Sequence, residues 1–169
     1  EGNLLWKERI TFGESPSIAS DGTLIATSYD SSKIFAIDPS DGHILWSYDI
    51  GREGNRMSPA SIDCDGTIYF AAHIQGLYLY AMTSTGSLKW RTRLTCDYPY
   101  RDGVVFAAPS IGNNGMVYVT TWFLGDDDYG YVHAIGGGKI QNIEDDYLHL
   151  FGKKIIRTLQ KRTIAIGAF

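Results

Sequence analysis

The sequence predicts an all-β fold built from four-stranded antiparallel units repeated along the chain. Three observations carry this. Turn pairs Asp21-Gly22, Asp65-Gly66 and Asn114-Gly115 each lead into an apolar run, and two of those runs alternate clearly: Thr67-Ile68-Tyr69-Phe70-Ala71 and Met116-Val117-Tyr118-Val119-Thr120. Asp-Gly and Asn-Gly beside alternating runs are strong hairpin signals. A glycine–tryptophan element, S-D-G-H-I-L-W at Ser40 to Trp46, recurs as S-T-G-S-L-K-W at Ser84 to Trp90. Weaker copies stand at Gly2 to Trp6 and at Gly138 to Asn142, the last with asparagine in the tryptophan slot. Finally, a small residue precedes proline at Ser15-Pro16, Ser58-Pro59 and Ala108-Pro109, with prolines spaced by 43 and then 50 residues. A period of about 43 to 53 residues is that of propeller blades.

Taken in order, the chain starts with the last strand of one unit, around Trp6. Three further units follow over 15–48, 58–92 and 108–142. In the first, strands are expected at Ser17 to Ala19, Leu24 to Ser28, Lys33 to Ile37 and Ile44 to Tyr48. Proline at the head of each first strand fits an edge facing a central channel, where its missing N–H costs no ladder bond. The third strand of each unit ends on the same signal: Phe35-Ala36-Ile37, Tyr80-Ala81-Met82 and His133-Ala134-Ile135.

The compound pattern resembles the pyrroloquinoline-quinone-like (PQQ-like, quinoprotein-type) β-propeller repeat. It reads small-Pro-Ser, then D-G-T-hydrophobic-Tyr, then aromatic-Ala-hydrophobic-Asp, then S/T-G-x-x-x-W. The resemblance covers about residues 1–142. It implies a partial β-propeller of four-stranded blades, and it implies that Trp6, Trp46 and Trp90 are docking residues whose rings pack between adjacent blades. An indole brings a large apolar area and one N–H that needs a partner. Three blades cannot close a ring, since closed propellers hold four to eight. The chain therefore reads as part of a longer propeller, as an open array, or as a protomer completing a ring with another chain.

Composition narrows the function classes. The 169 residues are 44% hydrophobic and 20% charged, with nineteen glycines and eleven tyrosines. These are globular values. A net charge of −4 gives no electrostatic case for a nucleic-acid partner. No apolar run reaches the roughly 18 to 20 residues that span a bilayer. The opening Glu1-Gly2-Asn3 has neither the basic nor the apolar region of a signal peptide. The tail, 143–169, leaves the repeat. Leu148, Phe151, Ile155 and Leu159 share one helical face, with acids before and bases after them, so a C-terminal capping helix is the expectation. A basic helix lying on a membrane surface is a second reading. A third is that the tail is not propeller sequence.

Candidate chemistry is sparse. The longest irregular stretches are expected at 94–106 and 123–129, both in loops of the same face of the third blade. With the connection after the first blade they supply a candidate binding surface: Arg52, Arg56, Tyr98, Tyr100, Arg101, Asp102 and Tyr129. Tyrosine and arginine are favoured at binding hot spots. Asp126, Asp127 and Asp128 are weak candidates for a metal, because three adjacent carboxylates do not converge on one Ca²⁺ without a special turn. The four histidines, His43, His73, His133 and His149, lack metal-binding spacing. Cys64 and Cys96 fall on opposite faces, about 17–20 Å apart if a strand separates them, too far for a disulfide. No catalytic residues are assigned.

The resemblance carries PQQ with calcium as a cofactor of its dehydrogenase members, which also have adjacent cysteines. This chain has none, so no cofactor is expected. The expected function is a non-enzymatic β-propeller scaffold for protein or ligand binding, extracytoplasmic by resemblance. Its partner is expected to be another protein or the remainder of a propeller. Two alternatives stay open: a fragment of a quinone- and calcium-dependent dehydrogenase, and a carbohydrate-binding cell-surface protein.

Overall fold

The computed structural model describes residues 2–10, 13–28, 31–51, 56–73, 76–94, 103–105, 107–123 and 129–136. Contacts divide the chain at Gly137, and the described residues all fall in the first unit, Glu1–Gly137. The tail and Asn142 lie outside the described residues.

Among the described residues, twelve strands form three four-stranded antiparallel sheets. The first blade holds β1 (Ser17–Ile18), β2 (Leu24–Thr27), β3 (Lys33–Ile37) and β4 (Ile44–Asp49), each paired with the next. These match the expected strands to within a residue at each end. The second blade repeats the order with β5 (Ser61–Ile62), β6 (Ile68–His73), β7 (Leu77–Met82) and β8 (Leu88–Arg93). The third contains β9 (Gly103–Val104), β10 (Ser110–Ile111), β11 (Val117–Phe123) and β12 (Tyr129–Ile135). Here β11 pairs with β10, β12 and β9.

Strand β9 corrects the expectation of an irregular stretch over 94–106, because Gly103 and Val104 pair with Phe123 and Trp122. The first two blades show the same device in reduced form, as single bridges Gly13 to Ser28 and Met57 to Ala72. The incoming chain must satisfy the end of a long second strand, and in the third blade β11 is long enough to hold two residues of it. Likewise Phe123 and Tyr129 pair with each other as strand ends and are not loop residues.

Register explains the core. In every sheet, side chains alternate between a face toward the preceding blade and a face toward the following one. Ile25, Ile34 and Ala36 on the forward face of the first blade meet Ile68, Phe70, Ala72, Tyr80 and Met82 on the rear face of the second. Ala71 and Leu79 on the forward face of the second meet Val117 and Val119 of the third. The rear face of the first blade, Ala26, Phe35 and Ile37, is packed by Trp6 and Ile10. Sheets buried on both faces read as near-continuous apolar runs, as in Leu77–Met82. Phe70 and Tyr80 stack, with ring centroids 5.1 Å apart and planes 5° from parallel. Ser58, fully buried, accepts the Ala71 N–H on Oγ at 2.9 Å and donates its own N–H to the Ala71 carbonyl.

Candidate functional site: the seams between blades

The best-organised side chains outside the core are those that tie one blade to the next. The first two sheets each place the tryptophan of the outer strand opposite an alanine: Trp46 faces Ala36 and Trp90 faces Ala81. The small alanine leaves the indole free to lean forward over the next blade. Trp46 Nε1 donates to the Ser84 carbonyl at 3.0 Å, and Trp6 Nε1 donates to the Pro39 carbonyl at 2.8 Å. Each acceptor lies in the turn between the third and fourth strands of the following blade.

The floor under each ring is a glycine of that same turn. A Cβ on Gly86 would stand 2.7 Å from Trp46 Cδ2, and one on Gly42 would overlap the Trp6 ring. Both glycines also hold positive φ, 84° and 83°. Glycine is therefore required twice over, by conformation and by space. The sequence motif thus pairs a glycine with a tryptophan that is not its own: Gly42 seats Trp6, and Gly86 seats Trp46. Trp90 lies beside Tyr69, with centroids 5.9 Å apart, over an open groove of about 420 Å³ that Val117, Ile135 and Gly136 also line. The remainder of that turn falls outside the described residues.

A second set of links runs along the first strands of the blades, where β1 and β5 approach each other. Ser17 Oγ donates to the Ala60 carbonyl at 2.5 Å, and Ser61 Oγ donates to the Pro109 carbonyl at 2.5 Å. Ser17, Ser61 and Ser110 hold one register position, opposite Ile25, Tyr69 and Tyr118. The Pro-Ser step of the repeat pattern marks Ser17 and Ser110, but in the second blade the serine comes two residues after Pro59, and the bonds from one blade to the next are visible only in the structure.

Structure also groups three potential metal ligands in the opening motif, Asp38, Asp41 and His43, whose ligand atoms lie within 4.8 Å of one another. Sequence reading did not single them out, and D-P-S-D-G-H places them close in sequence without defining the turn that brings them together. Their local bonds account for the grouping. Asp38 Oδ1 accepts from the Ser40 hydroxyl and N–H, at 2.5 and 2.8 Å, and the hydroxyl bond is the main reason its carboxyl sits below the usual range. Asp41 Oδ1 accepts from the His43 N–H at 3.0 Å, which lowers its pKa, and contacts His43 Nδ1 at 2.7 Å. That side-chain bond raises the His43 pKa. Asp21 and Asp65 cap their turns in the same way through Thr23 and Thr67. This is turn chemistry on exposed loops.

Of the expected binding surface, Arg56 and Tyr129 fall among the described residues. The Arg56 carbonyl accepts the His73 N–H at 3.1 Å, and Tyr129 opens β12. Arg52, Tyr98, Tyr100, Arg101, Asp102 and Asp126 to Asp128 lie outside the described residues. Cys64 is a free, exposed thiol whose pKa is raised, first by a hydrogen bond to Asp63. Cys96 lies outside the described residues. The quinone needs an axial carboxylate and calcium set. The Asp38–Asp41–His43 group sits in the turn between β3 and β4, with Oδ1 of each aspartate accepting local hydrogen bonds, so it does not fit that role.

Residues 1–61 match the family model described as outer membrane protein assembly factor BamB. Over those residues the chain is similar to the PQQ-like β-propeller repeat, and the fold of the three sheets agrees with it. A crystal structure of a Bacteroides caccae protein of unknown function is similar, with TM-score 0.51 and 15% identity over 73% of this chain and 45% of that one. A virginiamycin B lyase structure from Staphylococcus aureus follows, with TM-score 0.49 and 15% identity over 73% of this chain and 41% of that one. The chain thus spans less than half the length of either. No curated protein matches. At these identities the likeness concerns the fold alone.

Proposed function

We propose that the chain is a non-enzymatic β-propeller scaffold that binds a protein or ligand through the loops of one face, outside the cytoplasm. The observation that carries this is the regularity of the turns on one face, set against the unlike sequences of the connections on the other. On one face, the turns at Gly22, Gly42, Gly66, Gly86 and Gly115 follow one plan, each with a positive-φ glycine. Four of them are also capped by a side chain two residues away, from Asp21, Asp41, Asp65 or Asn114. Such turns serve the scaffold. In sequence, the connections expected on the other face share no such motif, and they hold Arg52, Arg56, Tyr98, Tyr100, Arg101 and Asp102. Unlike loops on a like-for-like scaffold are where recognition resides. The match of residues 1–61 to a model named for an outer membrane protein assembly factor supports both the scaffold role and the extracytoplasmic setting.

The test sets this reading against the dehydrogenase alternative. The protein is titrated with pyrroloquinoline quinone and Ca²⁺ while absorbance and melting temperature are followed. No saturable change is expected. A stoichiometric spectral shift with a raised melting temperature would sink the non-enzymatic reading. A glycan array addresses carbohydrate binding, and Tyr98→Ala with Tyr100→Ala should abolish any hit that belongs to the proposed face.

A further inference from the structure

We propose that Arg91 and Arg93 of β8 form a binding site for a phosphate or sulfate group, on the outer part of the seam between the first and second blades. The site is built from strand residues and not from the loops of the proposed binding face, so either reading can fail without the other.

Successive residues of β8 point to opposite sides of the sheet. Trp90 and Thr92 line the groove shared with Val117 of the third blade. Lys89, Arg91 and Arg93 therefore stand in a row on the other side, toward the first blade. Lys89 is engaged: its Nζ donates to Thr67 Oγ1 at 2.8 Å and lies 3.7 Å from Asp65. Among the described residues, no carboxylate pairs with Arg91 or Arg93.

Both arginines are nonetheless held in place. The Arg91 guanidinium lies over the Tyr78 ring, 5.2 Å from its centroid, and Nη1 donates to the Tyr80 hydroxyl at 3.5 Å, a long bond. Arg93 lies against Gly76, where a Cβ would stand 3.2 Å from Nε and 3.3 Å from Nη2. Tyr48 reaches the seam from β4 of the first blade and packs, with Tyr78, on the cluster that holds Tyr80. These three phenols hold the Arg91 pKa above its usual value, the Tyr80 bond first.

This arrangement suits an oxyanion. A guanidinium carries five N–H donors in a planar fork that matches phosphate oxygens in pairs. Arg91 uses one of its donors, and stacking on tyrosine fixes the plane while the edge of the fork stays available. The two arginines stand about 7 Å apart along the strand, so both forks can reach one group placed between them. Phenol hydroxyls add donors beside them. A tetrahedral group has three or four oxygens for these donors, where a carboxylate has two.

The repeat does not call for these side chains. Arg91 faces Tyr80 and Arg93 faces Tyr78, whereas in the first blade Ser47 faces Phe35 and Asp49 faces Lys33. Between them the scaffold pair recurs, as Trp90 with Ala81 and Trp46 with Ala36. The difference is confined to the residues that make the site. Charges on an outer strand also discourage edge-to-edge pairing, but either sign serves that role and no stacking is needed for it.

The test is a titration of the 169-residue chain followed by its arginine Nε–H signals in nuclear magnetic resonance, with sodium chloride holding ionic strength constant. Sodium phosphate and sodium sulfate should each shift the Arg91 and Arg93 signals saturably, and sodium acetate should bind more weakly. Arg91→Gln and Arg93→Gln, at exposed positions, should keep the far-ultraviolet spectrum and each weaken binding about tenfold or more. Arg9→Gln, which removes an exposed cation elsewhere, should change it by less than about twofold. Methyl phosphate separates the sources of the group: tighter binding than the free ion marks a group carried on a larger ligand, weaker binding marks the free ion, and both support the site. Shifts without saturation would overturn the proposal. So would acetate binding as tightly as phosphate, or phosphate binding that survives Arg91→Gln combined with Arg93→Gln.

Discussion

Gly86→Ala tests whether the seam is held by the indole seated on a neighbouring turn. Two costs are combined at this position. The first is conformational: φ is +84°, and a Cβ in left-handed backbone costs about 1–2 kcal/mol. The second is the clash with Trp46. A Cβ 2.7 Å from Cδ2 and 2.8 Å from Cε3 forces the ring to shift. The ring then gives up its bond to the Ser84 carbonyl, about 0.5–1.5 kcal/mol. It also gives up part of the contact that would make full truncation of a buried tryptophan cost about 3–5 kcal/mol. With Trp46 only partly buried, we expect roughly 3–5 kcal/mol in all for Gly86→Ala.

Gly115→Ala supplies the control. Its φ is +75° and nothing lies within 4 Å of the added Cβ, so only the first cost, about 1–2 kcal/mol, applies. Urea unfolding followed by far-ultraviolet circular dichroism measures both. In a Trp46→Ala background the penalty of Gly86→Ala should fall back to the Gly115→Ala value, a coupling of about 2 kcal/mol between residues 40 positions apart. Equal costs at Gly86 and Gly115, or a Gly86 penalty untouched by loss of Trp46, would refute the seat.

Further outcomes follow from the same seams. Ser61→Ala removes the donor to the Pro109 carbonyl and should cost about 1 kcal/mol in the same urea titration. Thr27 Oγ1 is buried between the first two blades without a hydrogen-bond partner, so Thr27→Val should be neutral or stabilise by up to about 1 kcal/mol. Two histidines should titrate on opposite sides of the ordinary value near 6.5. Burial lowers the His133 pKa, so its contribution is intact above that value and is lost as pH falls toward the folded pKa. Asp41 raises the His43 pKa, so its contribution is complete below that value and fades as pH rises through the folded one. Histidine ring signals in a nuclear magnetic resonance titration separate the two; a shared midpoint would contradict both environments.

The blades were legible because their signals are local. Asp-Gly and Asn-Gly fix hairpins within a few residues, and alternation fixes which side chains share a face, so strands such as Lys33–Ile37 could be placed residue by residue. What was not legible is non-local. Ser17 and Ser61 are equivalent only through their partners Ile25 and Tyr69, and the links they make cross to another sheet. Strand β9 was hidden because two residues give no period to detect, and its pairing is dictated by the length of β11. Asp38, Asp41 and His43 are close in sequence, but their convergence depends on a turn that the spacing alone does not define.

The glycine–tryptophan element shows how the two kinds of information meet. Within one copy, Gly42 and Trp46 look like partners four residues apart. In space, Gly42 holds Trp6 from behind and Trp46 reaches forward to Gly86. Each copy is therefore a link, receiving one ring and giving another. A blade with such an element cannot satisfy it alone: an empty seat leaves a strained glycine turn without its cover, and an unseated indole leaves its N–H and apolar faces in water. Stability in this chain must then reside largely in the interfaces between blades, as nearest-neighbour terms do in other repeat proteins. It follows that damage at one seam should loosen the two blades that share it before it affects the third. Hydrogen exchange on Trp46→Ala would show this as lost protection in β2–β3 and β6–β7, with β11 and β12 less affected.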